Sequence, residues 1–211
     1  MFRKILVVAA AIAMPVSVVA VSGGIAGAAK APSAATDTAT CTGITATVNF
    51  SIPLTNAGVT SGTETTTLSG SYTGCSAAGS FAQTISTGSI SGSFTSKAGS
   101  AKHPAALCGG LVGSTKEKGT ITTSWTGSSP AAADTVTTVK SITGGVAGGH
   151  GTFSVVGKYK GSFGGADKGK SSTNTAQTVE TVATLSSECA GAGISTLHIE
   201  GPASGHPLTL G

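Results

Sequence analysis

The chain of 211 residues holds 93 Gly, Ser or Thr, with only 9% charged and 4% aromatic residues. Its net charge of +4 falls to +2 without Arg3 and Lys4, too little and too dispersed for a nucleic-acid partner, which calls for a clustered basic patch. The length suits one domain and suffices for a real core.

Residues 1–28 read as a secretory signal peptide. Arg3 and Lys4 supply the charged start, residues 5–14 are an unbroken apolar run, and Ala26-Gly27-Ala28 is a small-residue exit. As an uncleaved anchor the stretch is barely long enough, and Pro15 and Ser17 interrupt it. The nearest cysteine, Cys41, lies too far along for a lipoprotein. Residues 29–40 are Ala, Pro, Ser and Thr with few others, and read as a disordered leader. The remainder, residues 41–211, reads as a single β-barrel domain. No segment beyond the start is apolar enough to span a membrane as a helix, so no transmembrane helix is expected in the mature chain.

From there the hydrophobic period is two. In residues 44–54, Ile44, Ala46, Val48, Phe50, Ile52 and Leu54 alternate with polar residues, the pattern of a half-buried strand. Residues 65–75 place Leu68, Gly70 and Tyr72 on one face; residues 89–95 place Ile90, Gly92 and Phe94; residues 120–126 offer Ile121, Thr123 and Trp125. Further strands are expected at 135–143, 153–163, 176–186 and 193–201. In 153–163, Phe153, Val155, Tyr159 and Phe163 face inward and Ser154, Lys158 and Lys160 outward. Gly- and Ser-rich breaks fall at 56–62, 76–80, 96–104, 127–133, 144–150, 164–174 and 190–192. No segment shows a helical period with caps.

The expected fold is therefore all-β, with eight to ten antiparallel strands. Closure removes the exposed edges of a Thr-rich sheet, and strand glycines permit a curved wall. These arguments favour an antiparallel up-and-down barrel, lipocalin-like in architecture, over a β-sandwich. Phe50, Tyr72, Phe94, Trp125, Phe153, Tyr159 and Phe163 are expected to point into one core.

The four cysteines, Cys41, Cys75, Cys108 and Cys189, suit two disulfides in an exported protein. Their wide spacing and the scattered histidines offer no zinc pattern. Cys41 enters the first strand and Cys75 leaves the second, at one end of a hairpin, so a Cys41–Cys75 bridge is expected. Cys108–Cys189 follows by elimination. Four strands between them return the chain to the same end; a fifth strand at residues 107–114 would make that bridge harder.

A set of short motifs runs across residues 41–201: Cys41-Thr42-Gly43, Gly74-Cys75-Ser76, Leu107-Cys108-Gly109-Gly110, the Gly-Thr-Ile-Thr-x-x-Trp-x-Gly of 119–127, the Gly-Lys-Tyr-Lys-Gly-Ser-Phe of 157–163, and the Glu-Cys-Ala-Gly-x-Gly-Ile-x-x-Leu of 188–197. In order and cysteine placement the chain resembles an uncharacterised class of small secreted actinobacterial proteins with four cysteines. The resemblance implies a signal peptide, a barrel-like β fold and two disulfides. It implies no activity and no catalytic residues.

Candidate sites are sparse, and no catalytic residue, cofactor or metal ligand is assigned. The acidic residues lie singly along the chain, whereas glycosidase chemistry needs two carboxyls held close. Glu180 and Glu200 could be brought together by strand pairing, and His198 and Glu200 share a strand face as a base and orienter would. Both sets read as solvated groups. The Ser89-Ile90-Ser91-Gly92-Ser93 stretch is strand rather than a nucleophile elbow. Residues 144–149 are Gly-rich but precede no helix, and read as a loop. Lys158, Lys160, Lys168 and Lys170 form the densest basic group and could touch an acidic cell-envelope polymer. Trp125 is expected in the core rather than on a ligand. The expected function is that of a secreted, non-enzymatic β-barrel that binds or builds at the cell surface or in the medium. The alternative is a carrier of a small apolar ligand, favoured by an interior cavity of about 300 Å³ or more. A pore would need an apolar outward band, which the Ser- and Thr-rich faces do not supply.

Overall fold

The computed structural model of the chain describes residues 38–78, 84–98, 104–115, 118–127, 132–161, 165–202 and 205–211. The expected signal peptide and most of the expected leader lie outside the described residues, as does Phe163.

Twelve strands form among the described residues: β1 (Thr38–Cys41), β2 (Gly43–Leu54), β3 (Thr63–Thr73), β4 (Ser76–Ala78), β5 (Thr87–Lys97), β6 (Ser114–Thr115), β7 (Lys118–Thr126), β8 (Thr135–Ala147), β9 (His150–Gly161), β10 (Gly165–Thr181), β11 (Ile194–Glu200) and β12 (Leu208–Leu210). One helix, α1 (Val182–Ala190), joins β10 to β11. Eight long strands pair in the order β2-β3-β5-β7-β8-β9-β10-β11, and β11 returns to β2. Every pairing in this ring is antiparallel, and all but the closing β11–β2 pair join successive long strands of the chain. The fold is a closed antiparallel up-and-down barrel with extra strands.

Alternation produces the wall. Along β9 the outward Val156, Lys158 and Lys160 are exposed, whereas Gly157 and Tyr159 are buried. Along β2, Ile44, Ala46 and Leu54 are buried and Thr45, Asn49 and Ser51 are exposed. A side chain at Gly70 would run into Ala46 and the Thr45 carbonyl on the neighbouring strand, so glycine there lets the curved wall close tightly.

Beside this ring lies a small flap. Ser172–Asn174 of β10 pair with β12, β12 pairs with β1, and β1 with β4. Further along β10, Gln177 and Thr178 pair with β11 instead. The flap packs Ala39, Leu208 and Leu210 into a cluster with Ile44, Tyr72, Trp125 and Tyr159, filling that end of the molecule. Cys41 is bonded to Cys75, tying β1 to the end of β3. Cys108 is bonded to Cys189 of α1. Residues 108–112 form a turn of 3-10 helix rather than a strand, so four long strands separate Cys108 from α1.

The structure corrects several expectations. Thr38–Thr40 belong to β1 rather than to a disordered leader, because Ala39 is buried and both backbone edges are paired. The expected strand over 176–186 ends at Thr181. Val182, Leu185 and Cys189 recur at helical spacing, Leu185 and Cys189 are buried, and the Thr181 hydroxyl accepts from the Thr184 N–H as an N-cap. Gly165–Asn174, expected in a break, is strand with its hydrogen bonds taken up by β9 and β12. The Gly-rich 144–149 stretch is mostly β8, with a turn of only two residues. Gly148 and Gly149 have φ of +59° and +84°, which suits a type I′ hairpin.

Candidate interior binding site

Long strands with one apolar face, once closed into a ring, enclose the space between their inner side chains. Here that space is not filled. A partly open cavity of about 280 Å³ lies within the barrel. Val48 and Phe50 of β2, Leu68 of β3, Phe94 of β5, Ile121 of β7 and Val155 of β9 are among its walls. Leu197 and Ile199 of β11, Ile142 of β8 and Phe153 of β9 extend the apolar lining.

A strap crosses the end of the barrel opposite the flap. Residues 104–107 and 110–111 line the cavity there. The strap is held on one side by Thr55 and Val59: the Thr55 N–H donates to Ala106 O at 3.1 Å, the Cys108 N–H to Thr55 O at 3.0 Å, and Val59 and Ala105 exchange bonds of 2.8 and 2.9 Å. Ala106 takes φ +52° to make the bend. On the other side the Cys108–Cys189 bridge pins the strap to α1.

Two polar groupings interrupt the apolar lining. At the flap end the Tyr72 hydroxyl donates to Asn174 Oδ1 at 2.5 Å, and Asn174 Nδ2 donates to Ser172 Oγ at 3.2 Å. Burial pushes the Tyr72 phenol up, so it remains a neutral donor. At the strap end Glu64 lines the cavity beside Thr66 and Ser96 and is only 2% exposed. The Thr66 hydroxyl donates to its two carboxyl oxygens at 3.0 and 3.1 Å. Burial raises the Glu64 carboxyl above its ordinary range, and the Thr66 hydroxyl and the Ser51 backbone offset part of the rise.

The expected core aromatics divide over three adjoining clusters rather than one. Tyr72, Trp125 and Tyr159 sit in the flap-end cluster, Phe50 packs at the strap end, and Phe94 joins Ile121 and Val139 in the middle wall. Phe153 packs against the first two and lines the cavity. Trp125 donates from Nε1 to Thr135 Oγ1 at 2.9 Å and is not among the lining residues.

The surface candidates do not converge on the cavity. Glu180 meets His198, not Glu200: His198 Nδ1 lies 2.6 Å from Glu180 Oε1, and the His198 N–H donates to both carboxyl oxygens at 3.2 Å. Glu200 accepts from Gln177 Nε2 at 2.8 Å instead, because the β10–β11 register sets Gln177 opposite Glu200. His198 is 59% exposed on the outer wall. Lys158 and Lys160 also face outward, and Lys158 Nζ donates to Ser171 Oγ at 3.4 Å. Among the described residues no three His, Cys, Asp or Glu side chains gather as a metal site would require.

Glu64 is the residue that sequence reasoning passed over. Leu68, Gly70 and Tyr72 set the inward phase of β3, and stepping back by two reaches Thr66 and then Glu64 on that same face. Compared with protein-family models, with curated proteins and with solved structures, the chain matches none of them.

Proposed function

We propose that this protein is an exported, non-enzymatic barrel that carries a small, predominantly apolar molecule in its interior. The observation that carries the reading is the apolar cavity of about 280 Å³ inside the ring of strands. An apolar cavity of ~150 Å³ already accepts benzene, so the space suits a ligand on the order of ten carbon atoms. Binding would rest on burial of apolar area, with the two polar groupings choosing orientation. Two disulfides accord with an oxidising compartment. The basic-then-apolar start of the chain and the resemblance to small secreted actinobacterial four-cysteine proteins support export, with the mature protein beginning near Ala29.

The experiment is calorimetric titration of the oxidised protein with heptanol, repeated on Val155→Phe, which puts a larger side chain into the cavity. Saturable binding that the filled variant loses, while its melting temperature holds or rises, is the expected result. Failure of the unmodified protein to bind heptanol, its amine or its acid analogue would overturn the reading. Intact-mass measurement of the exported form decides the export claim separately: full-length protein recovered in membranes would refute it.

A further inference from the structure

We propose that the molecule held in this barrel is a small apolar amine whose ammonium group pairs with the Glu64 carboxylate. The inference rests on the cavity being the binding site.

Glu64 is buried, lines the cavity and lies at its strap end. Its hydrogen-bond partner is the Thr66 hydroxyl, which reaches both carboxyl oxygens and serves either protonation state, donating to an ionised carboxyl or accepting from a protonated one. Among the described residues the site holds no counter-charge for the ionised form. Across the β3–β5 pair Glu64 faces Ser96, while Lys97, the nearest cation on that strand, is exposed. From β2 the nearby Ser51 backbone favours its ionised form. The strap presents Pro104, Ala105, Ala106, Leu107 and Leu111, and the far walls present Phe153 and Leu197. Among the described residues lining the cavity none is Lys, Arg or His, and the remaining ionisable group, the Tyr72 phenol, is neutral and committed to Asn174.

A buried carboxylate without a cation is costly, and pairing within a low-dielectric space recovers that cost. An alkylammonium supplies the missing charge and up to three donors, while its chain covers the apolar walls. A carboxylate ligand would instead place like charges together, and an alcohol would bring no charge. Selection for amines over isosteric alcohols and acids follows from this one residue.

The test titrates the oxidised protein calorimetrically with heptylamine, heptanol and heptanoate. Heptylamine is expected to bind about tenfold or more tighter than heptanol at neutral pH, as a charge-assisted contact outweighs a neutral one by roughly this factor. Heptanoate is expected to be the weakest. Glu64→Gln should erase the preference for heptylamine over heptanol, since it preserves shape and removes charge. A second measurement does not depend on the variant. Over the raised range in which the Glu64 carboxyl titrates, amine binding should release its proton, visible as a dependence of the binding heat on the buffer's ionisation enthalpy, and heptanol binding should not. Equal affinity for amine and alcohol, or an amine preference that survives Glu64→Gln, would overturn the amine assignment and leave the cavity reading standing. Failure of all three to bind would overturn both.

Discussion

At the scale of single residues, two buried polar groups determine what the interior can do. Glu64 binds its proton more tightly in the fold than in the unfolded chain, because burial opposes its charge. The native state then holds more protons than the unfolded state, so stability is greatest below the ordinary carboxylate range and falls as pH rises through the raised value. Glu64→Gln removes that slope: denaturation midpoints measured across this range should fall with pH in the unmodified protein and be flatter in the variant. At the other end, Tyr72→Phe takes away the donor to Asn174 Oδ1 and leaves a buried acceptor without it. A loss of about 1–3 kcal/mol in denaturant unfolding is expected. Glu64 was legible by phase, since β3 alternates without interruption from Glu64 to Tyr72. The Tyr72–Asn174 contact was not, because 102 positions separate the two residues and only ring closure brings them together.

At the scale of elements, alternation gave most strands their faces, and misread segments have identifiable competitors. Residues 182–190 contain Val, Thr and Ala in a run that also suits a strand, but Thr181 caps the Thr184 amide and Leu185 and Cys189 bury one face. Burial overrode propensity there. Thr181→Ala should cost about 0.5–2 kcal/mol by loss of the cap, read by denaturant unfolding. β1 was hidden for a different reason: a strand of four residues has too few alternations to declare itself, and its partners β4 and β12 come from distant parts of the chain. The strap over the cavity depends on the bridge to α1. Replacing Cys108 and Cys189 by Ser opens a loop with a sequence separation of 81, and the chain-entropy account assigns such a bridge roughly 4–5 kcal/mol. Beyond that loss, amide exchange within residues 105–112 should quicken more than exchange in β3 or β5, whose ladders do not involve the strap. Uniform acceleration across all three would mean that the bridge holds the whole barrel rather than the strap.

At the scale of the molecule, the barrel and its inward register follow from a period of two carried through eight long strands, each paired with the next. Whether the interior is filled or hollow depends on side-chain volumes around a closed ring, and periodicity is blind to volume. That is why the cavity emerged only with the three-dimensional arrangement, although the inward phase of Glu64 was legible. Among the described residues the large exposed apolar side chains are single valines, among them Val146, Val156 and Val179. They offer an internal control for a claim about the inside. With methyl-labelled oxidised protein titrated with heptylamine, the account predicts saturable shifts at Leu68, Val155 and Leu197, which line the cavity. It predicts none at Val156 and Val179, which face outward. Shifts confined to the outer valines, or no saturable shift at the inner methyls, would contradict it.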